Sequence, residues 1–317
     1  MALFWHSSPT LGQTEFAVTL VCPYFTTVAT PLTPALLTYG FGGASAPLTP
    51  ALPTQTPRYE HWPAPAPLAY QTAAGWQGTF AGEFGVIAAE VTPGMDPESG
   101  FAQLYTQLFT QMLTWGYPHL LRIWNYFPAL HEVQRGLDGY QRFCLGRAQA
   151  LEAAPALIDR ILPAATTIGT AGGLGQLIAL IGRQPGRHFS NPRQIDPLAY
   201  PACYSPRSPN FARATQVGPL LLLSGTASIV GHASLHPGDT LAQTQEIIRN
   251  IEALLAQVPH ARLCQLKVFL RSLADQPQVA ELLAHAVGSV PTLFLEGAIC
   301  RPELRLEIEG VACISAT

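Results

Sequence analysis

Apolar and polar positions follow the same order twice along the chain. Between residues 100 and 115 the apolar side chains recur at helical spacing, and a strand-like apolar run follows at 120–127. Between residues 241 and 270 a second helical stripe is followed by a second strand-like run, at 263–270. The pattern therefore predicts two helix-to-strand units of similar length.

The segments around each unit correspond as well. A pair of strands punctuated by glycine precedes each unit, and a further helix followed by apolar strands comes after it. We therefore predict an α/β fold in which two similar halves, each a mixed sheet backed by two helices, are fused in one chain. The alternative is that helices and strands alternate in this way by chance. Because clefts between domains often hold ligands, duplication predicts a site where the halves meet.

Proline-rich stretches divide the chain into three parts. Proline is dense between residues 44 and 70 and again between 185 and 209, and it forbids regular helix because it lacks a backbone N–H donor. We predict an irregular N-terminal segment at 1–70 that packs on the first half. The first half with its connecting loop then covers 71–210, and the second half covers 211–317.

Charge and cysteine usage narrow the functional classes. The net charge is −3 without a basic cluster, and no apolar run approaches the ~18 residues of a membrane span, so neither nucleic acid nor membrane is an expected partner. No secretory signal is recognisable at the N-terminus, which favours a cytoplasmic protein. The six cysteines are scattered without a CxxC pair and are expected to be reduced thiols. The only lysine, Lys267, lies in an apolar strand-like run, which argues against Schiff-base chemistry.

Two short motifs imitate cofactor sites. The glycines between residues 169 and 175 lack the GxGxxG register of a dinucleotide loop, so chance is the better interpretation. His232, His236 and Asp239 have the spacing of metal ligands on a helix, but the neighbouring Gly and Pro residues place them on a strand and turn. We therefore expect no metal and no cofactor, with the histidines lining a pocket instead.

Two segments carry candidate site residues. The loop with Tyr200, Tyr204, Arg207 and Arg213 can hold carboxylates through its guanidinium groups, although a solvated loop with local ion pairs fits the same pattern. Near the C-terminus, the period-two alternation from residue 303 to 309 predicts a strand with one acidic face, and an ordinary strand with a solvated face is the alternative. In the functional interpretation, one of the carboxyls points into a cleft beside an arginine. The residues of that segment are Arg301, Glu303, Arg305, Glu307 and Glu309.

Several of these blocks together resemble the chorismatase family, over residues 75–315. The blocks are Arg122-Ile-Trp-Asn-Tyr-Phe-Pro128, Tyr140-Gln-Arg-Phe-Cys144-Leu-Gly-Arg147, Asn191-Pro-Arg-Gln194, Tyr200-Pro201, Tyr204, Ser208-Pro209, Phe211, Arg213-Ala214 and Ser224-Gly-Thr-Ala-Ser-Ile-Val-Gly-His232. The C-terminal half also resembles the small imine deaminases of the YjgF type. The resemblance thus implies two YjgF/chorismate-mutase-like halves.

The family resemblance implies a specific chemistry. A chorismatase removes pyruvate from chorismate after a carboxylic acid protonates the methylene of the enolpyruvyl ether, and the position of that acid corresponds to Glu307 in Leu306-Glu-Ile-Glu309. The acid must stay protonated near neutral pH, so we expect Glu307 to be buried with a raised pKa. The resemblance assigns substrate binding to Tyr200, Tyr204, Arg207, Arg213, Ala214 and Arg301. The first half has no glutamate on its equivalent strand at 178–181, so one site per chain and a monomer are expected.

The resemblance leaves the product open. Cys300 matches the branch that forms 3-hydroxybenzoate, whereas Ala214 matches the branch that hydrolyses chorismate to 3,4-dihydroxycyclohexa-1,5-diene carboxylate. In order of expectation, the product is 3-hydroxybenzoate, a mixture of 3- and 4-hydroxybenzoate, or the hydrolytic product. The alternative role for Cys300 is that of a small buried hydrophobic residue that does not influence the product. An imine deaminase or a non-catalytic binding protein is the second functional class. Thr292 and Leu293, where the deaminases carry an arginine, argue against a deaminase.

Overall fold

A computed structural model describes residues 20–28, 34–42, 50–64 and 68–315, except 155, 157 and 160. The strands within these ranges are β1 (Tyr24–Thr26), β2 (Ala35–Phe41), β3 (Arg58–Pro63), β4 (Ala69–Ala73), β5 (Trp76–Ala81), β6 (Phe84–Glu90), β7 (His119–Pro128), β8 (Ala165–Thr170), β9 (Gln176–Gly182), β10 (Arg187–Phe189), β11 (Ala214–Val217), β12 (Leu220–Thr226), β13 (Ile229–Val230), β14 (Ala233–Ser234), β15 (Ala261–Leu270), β16 (Thr292–Glu296) and β17 (Leu306–Ile314). The helices are α1 (Pro97–Thr114), α2 (Gly139–Glu152), α3 (Thr240–Leu255) and α4 (Gln276–Val287). None of the helices in these ranges is long and apolar enough to cross a membrane.

Two six-stranded sheets share one topology. The first has the order β4-β5-β6-β9-β7-β8 and the second has the order β10-β11-β12-β17-β15-β16. In both, only the last pair of strands is parallel, and all other neighbours are antiparallel. In the first half α1 follows the third strand directly, whereas in the second half the paired strands β13 and β14 come between the third strand and α3. In both, a second helix joins the two parallel strands. The predicted fold of two similar halves, each a mixed sheet backed by two helices, is confirmed.

Local sequence explains where the helices begin. The Asp96 side chain caps α1 and is followed by Pro97, which lacks the amide N–H that a first turn leaves without an intrahelical partner. Asp138 and Gln141 form a reciprocal capping box at α2, and Asp239 caps α3. The apolar faces of α1 and α2 pack on the first sheet, and those of α3 and α4 pack on the second. Each half therefore has a core of its own.

A third core joins the halves. The sheet faces that do not contact helices meet there, with Trp124 and Ile178 from the first half and Leu222 and Phe269 from the second. Trp62 of β3 packs into the same core and contacts the ring of Trp124, with 5.5 Å between the centroids. The two halves are thus fixed against one another by a shared apolar interior.

The N-terminal segment is not irregular as predicted. Within its described residues it forms a three-stranded sheet, β1-β3-β2, which packs against both halves through the shared core. Because β3 is covered on both faces, its sequence lacks the period-two alternation that identifies a half-exposed strand. The boundary at 210 was also misplaced, since β10 already pairs with β11 of the second sheet.

Two cysteines expected as free thiols form a disulfide. Cys264 of β15 and Cys313 of β17 lie on neighbouring antiparallel strands, and a register shift between Leu263 and Gln265 accompanies the pair. Their separation of 49 residues carries no sequence signature, because only the pairing of β15 with β17 brings them together. The prediction of reduced thiols was therefore wrong for this pair.

Candidate active site

A cleft lies where the two halves meet, as duplication predicted. Its empty space is about 750 Å³, a figure that includes solvent at the open mouth of the cleft. The first half contributes side chains from α2 and β8, and the second half contributes β12, β13 and β17 together with the loop before β17. The lining includes Tyr140, Arg147, Ala165, Thr167, Tyr200, Tyr204, Ser205, Pro209, Phe211, Arg213, Gly225, Ala227, Ile229, Cys300, Arg301 and Glu307.

Glu307 lies in the interior of this cleft. It is the second residue of β17, opposite Phe269 of β15, and only 5% of it is exposed. Burial, and then the negative charge of Glu309, raise the pKa of Glu307 to about 8, although Arg122 and Arg213 oppose the shift. The group is therefore a neutral carboxylic acid near pH 7, as a general acid requires.

Gly225 makes room for that carboxyl. A Cβ atom at this position of β12 would overlap Oε1 of Glu307, so any larger residue would displace the acid. Its backbone N–H donates a hydrogen bond of 3.1 Å to Oγ1 of Thr166, which fixes the strand beneath the carboxyl. The sequence resemblance included this glycine but assigned it no role.

Two predicted arginines line the cleft with hydrogen-bond donors to spare. Arg213 donates from Nη2 to the Tyr200 hydroxyl (2.8 Å), and Arg301 donates from Nη1 to the His232 carbonyl (2.8 Å) while its guanidinium lies 3.6 Å from the Tyr204 ring centre. Among the described residues, Nε of Arg213 and Nη2 of Arg301 are buried without a hydrogen-bond partner. A buried donor without an acceptor lowers the stability of the folded protein, and the oxygens of a bound carboxylate would accept hydrogen bonds from these two nitrogens.

A third arginine was missed as a site residue. Arg147 of α2 is 3% exposed, packs over the ring of Phe143, and keeps Nη2 buried without a hydrogen-bond partner among the described residues. It stands on the helix face that also buries Phe143 and Ala150. The sequence could have indicated this role, because Arg147 lies within an apolar helical stripe. A buried charge is rare unless it is paired with an opposite charge or serves a functional site.

Cys300 lines the cleft as a neutral thiol. It is half-buried, and burial followed by the charge of Glu307 raises its pKa to about 12. A thiol that stays protonated is a poor nucleophile, so this position influences a ligand through its size and polarity.

The other candidates lie elsewhere. Arg207 pairs with Glu152 and borders a neighbouring cavity instead of the cleft. Ala214 is fully buried in β11, and its neighbour Arg213 lines the cleft in its place. Glu303 accepts a hydrogen bond from Ser234, and Arg305 pairs with Asp275, because residues 303–305 precede β17 and do not share its face.

The three residues that imitate a metal set do not converge. His232 contacts the Tyr204 hydroxyl through Nδ1 at 3.2 Å, but neither His232 nor His236 is among the residues that line the cleft, contrary to expectation. His236 lies near Glu246 instead, and Asp239 caps α3. Each therefore has a separate structural environment.

Comparisons with known proteins converge on one family. The family model described as "Chorismatase FkbO/Hyg5-like, N-terminal" matches residues 60–181. A 3-hydroxybenzoate synthase of Streptomyces hygroscopicus is 32% identical, with 82% of each chain aligned, and a chorismatase of Streptomyces rapamycinicus is 36% identical over 72% of this chain and 73% of its own. A chorismatase crystal structure has a TM-score of 0.81 and 28% identity, covering 94% of this chain and all of that one.

Proposed function

Since the chain belongs to the FkbO/Hyg5-like chorismatase family, we propose that it converts chorismate to pyruvate and 3-hydroxybenzoate. The observation that carries the proposal is the buried, protonated Glu307 in a cleft whose arginines keep free donors. Chorismate has one carboxylate on its ring and one on its enolpyruvyl side chain. An acid flanked by several cationic donors matches a substrate with two carboxylates and an acid-labile enol ether.

In the proposed reaction, Glu307 donates its proton to the methylene carbon of the enolpyruvyl group. Capture of the resulting oxocarbenium ion by water would release pyruvate and the dihydroxy product of hydrolysis. In the route to 3-hydroxybenzoate the neighbouring ring hydroxyl takes part instead of water, pyruvate departs with one of the two ring oxygens, and the ring loses a proton from carbon to become aromatic. Arg147, Arg213 and Arg301 hold the two carboxylates, and their charge and geometry fix the methylene beside the acid. Tyr200 and Tyr204 complete the wall and orient the guanidinium groups of Arg213 and Arg301.

The direct test is to incubate purified protein with chorismate and follow pyruvate, with no metal or cofactor added. We expect pyruvate together with 3-hydroxybenzoate, identified by chromatography. No pyruvate from correctly folded protein would overturn the proposal and would favour the imine deaminase or binding-protein alternatives. Pyruvate that forms only after a metal is added would overturn cofactor independence alone.

Cys300 is the proposed determinant of the product. Because its thiol borders the cleft beside Glu307, Cys300→Val and Cys300→Ala are expected to change the ratio of 3-hydroxybenzoate to 4-hydroxybenzoate and hydrolytic product. Quantifying the three products by chromatography measures the effect. Cys203→Ala, at an exposed cysteine outside the cleft, is the matched control and should leave the ratio unchanged. An unaltered ratio in both Cys300 variants would make this residue a packing element.

A further inference from the structure

Glu309 is a buried carboxylate two residues beyond the proposed acid. It lies outside the cleft, in the interior where both halves and the N-terminal sheet meet, and 3% of it is exposed. Its Oε1 is 2.6 Å from Nζ of Lys267 and accepts a hydrogen bond of 3.1 Å from the Trp124 indole N–H. Its Oε2 is 2.8 Å from Nη2 of Arg122. Donors on β7 and β15 thus hold both carboxylate oxygens.

These contacts keep Glu309 ionised. Burial alone would raise its pKa, but Lys267 and then Arg122 outweigh burial and hold the pKa below its ordinary value. Two carboxyls of one strand therefore differ in protonation. Glu309 is charged because it has cations beside it, whereas burial first, and then the charge of Glu309, raise the pKa of Glu307 and keep it neutral.

A chain of contacts also connects the two glutamates mechanically. The Arg122 guanidinium that pairs with Glu309 also donates to the Thr166 hydroxyl, which accepts the N–H of Gly225. The carboxyl of Glu307 lies directly over Gly225. The network around Glu309 therefore fixes both the electrostatic and the steric surroundings of the acid.

We propose that Glu309 is a positioning residue whose paired, ionised carboxylate keeps the Glu307 carboxyl protonated for catalysis. The proposal rests on the proposed function for its catalytic meaning. Glu309 itself touches no substrate, since it borders a separate small cavity lined by Glu60, Arg122 and Lys267. It acts through Glu307.

The charged and titratable groups that face Glu307 come from several elements. They are Glu309 on its own strand, Arg122 on β7, Tyr140 and Arg147 on α2, and Arg213, Cys300 and Arg301 on the surrounding loops. Of the groups that act most strongly on Glu307, Glu309 raises its pKa whereas Arg122 and Arg213 lower it. Removing Glu309 or Arg122 should therefore change the titration of Glu307 in opposite directions.

The experiment compares pH profiles of pyruvate release for wild type, Glu309→Gln, Glu309→Asp and Arg122→Gln. We expect the alkaline limb, which marks loss of the Glu307 proton, to move to lower pH in Glu309→Gln and to higher pH in Arg122→Gln. Glu309→Asp retains the charge and should keep the limb near its wild-type position. Glu281→Gln, at an exposed position of α4, is the matched control without a shift.

A titration of the Glu307 carboxyl by infrared difference spectroscopy, without substrate, separates this inference from the proposed function. The carbonyl band of the protonated acid, identified by its loss in Glu307→Gln, should disappear at lower pH in Glu309→Gln than in wild type. If wild type releases no pyruvate but the band shifts as expected, the proposed function fails and the control of protonation stands. If pyruvate is released but the limb and the band stay in place in Glu309→Gln, the inference is overturned. Lower stability alone would shift neither.

Discussion

Glu307→Gln is expected to lower the rate of pyruvate release from chorismate by about 10²–10⁴-fold, because an amide cannot donate the required proton. Binding of chorismate should change little, since Arg147, Arg213 and Arg301 remain in place. Steady-state kinetics with product chromatography measures the loss, and calorimetric titration with chorismate measures binding. Turnover near the wild-type rate would assign the proton transfer to another group.

The same substitution should increase stability above neutral pH. The folded protein keeps the Glu307 proton up to a pKa of about 8, whereas the unfolded chain releases it near the ordinary value of 4.5. Between these values the folded state binds more protons, so the free energy of unfolding of wild type falls as pH rises. Glutamine carries no such proton, and Glu307→Gln should therefore resist urea better than wild type at pH 8. If Glu307→Gln unfolds at a lower urea concentration than wild type at pH 8, its loss of activity would be explained by impaired folding.

Lys267→Met is expected to lower the free energy of unfolding by about 3–5 kcal/mol, because it removes the cation beside buried Glu60 and leaves buried Glu309 with Arg122 alone. The Lys267 ammonium lies 2.8 Å from Glu60 and 2.6 Å from Glu309, and its side chain is 3% exposed. The two carboxylates raise its pKa well above the ordinary value despite burial, so the charge is permanent at neutral pH. Urea denaturation at pH 7 measures the loss.

A double variant distinguishes charge from packing. In Lys267→Met with Glu60→Gln, one of the two carboxylates beside the missing ammonium is replaced by a neutral amide, and part of the lost stability should return. Recovery would show that the cost lies in an uncompensated charge. If the double variant is as unstable as the sum of its single changes, the lysine contributes through its packing instead.

The duplicated hydrophobic pattern was enough to predict the two halves, although it did not locate the boundary between them. Helical stripes such as Phe101 to Met112 are amphipathic, and period 3.6 is visible in a sequence because one face meets solvent. The strands of the N-terminal sheet gave no such signal. Residues 58–63 are covered on both sides, and a strand without an exposed face has no alternation to detect.

The candidate site was predicted in part. Four predicted site residues line the cleft: Glu307, Cys300, Arg213 and Arg301. They could be predicted because members of a family keep such residues at matching positions of the same strand and loops. Arg207 did not, since whether a loop arginine faces a cleft or a nearby Glu152 depends on backbone geometry that sequence does not encode locally. The ion pair between Glu309 and Arg122 could not be predicted from the local sequence either, because 187 residues separate the two partners.

The burial of Lys267 has a practical consequence for handling the protein. Because it is the only lysine in the chain, no lysine ε-amine is available on the folded surface, and arginine provides the positive side-chain charge there apart from any protonated histidine. Dyes, cross-linkers and resins that target lysine amines will find no such group until the interior opens. Covalent labelling of this position therefore reports exposure of the ion cluster, and immobilisation must use another functional group.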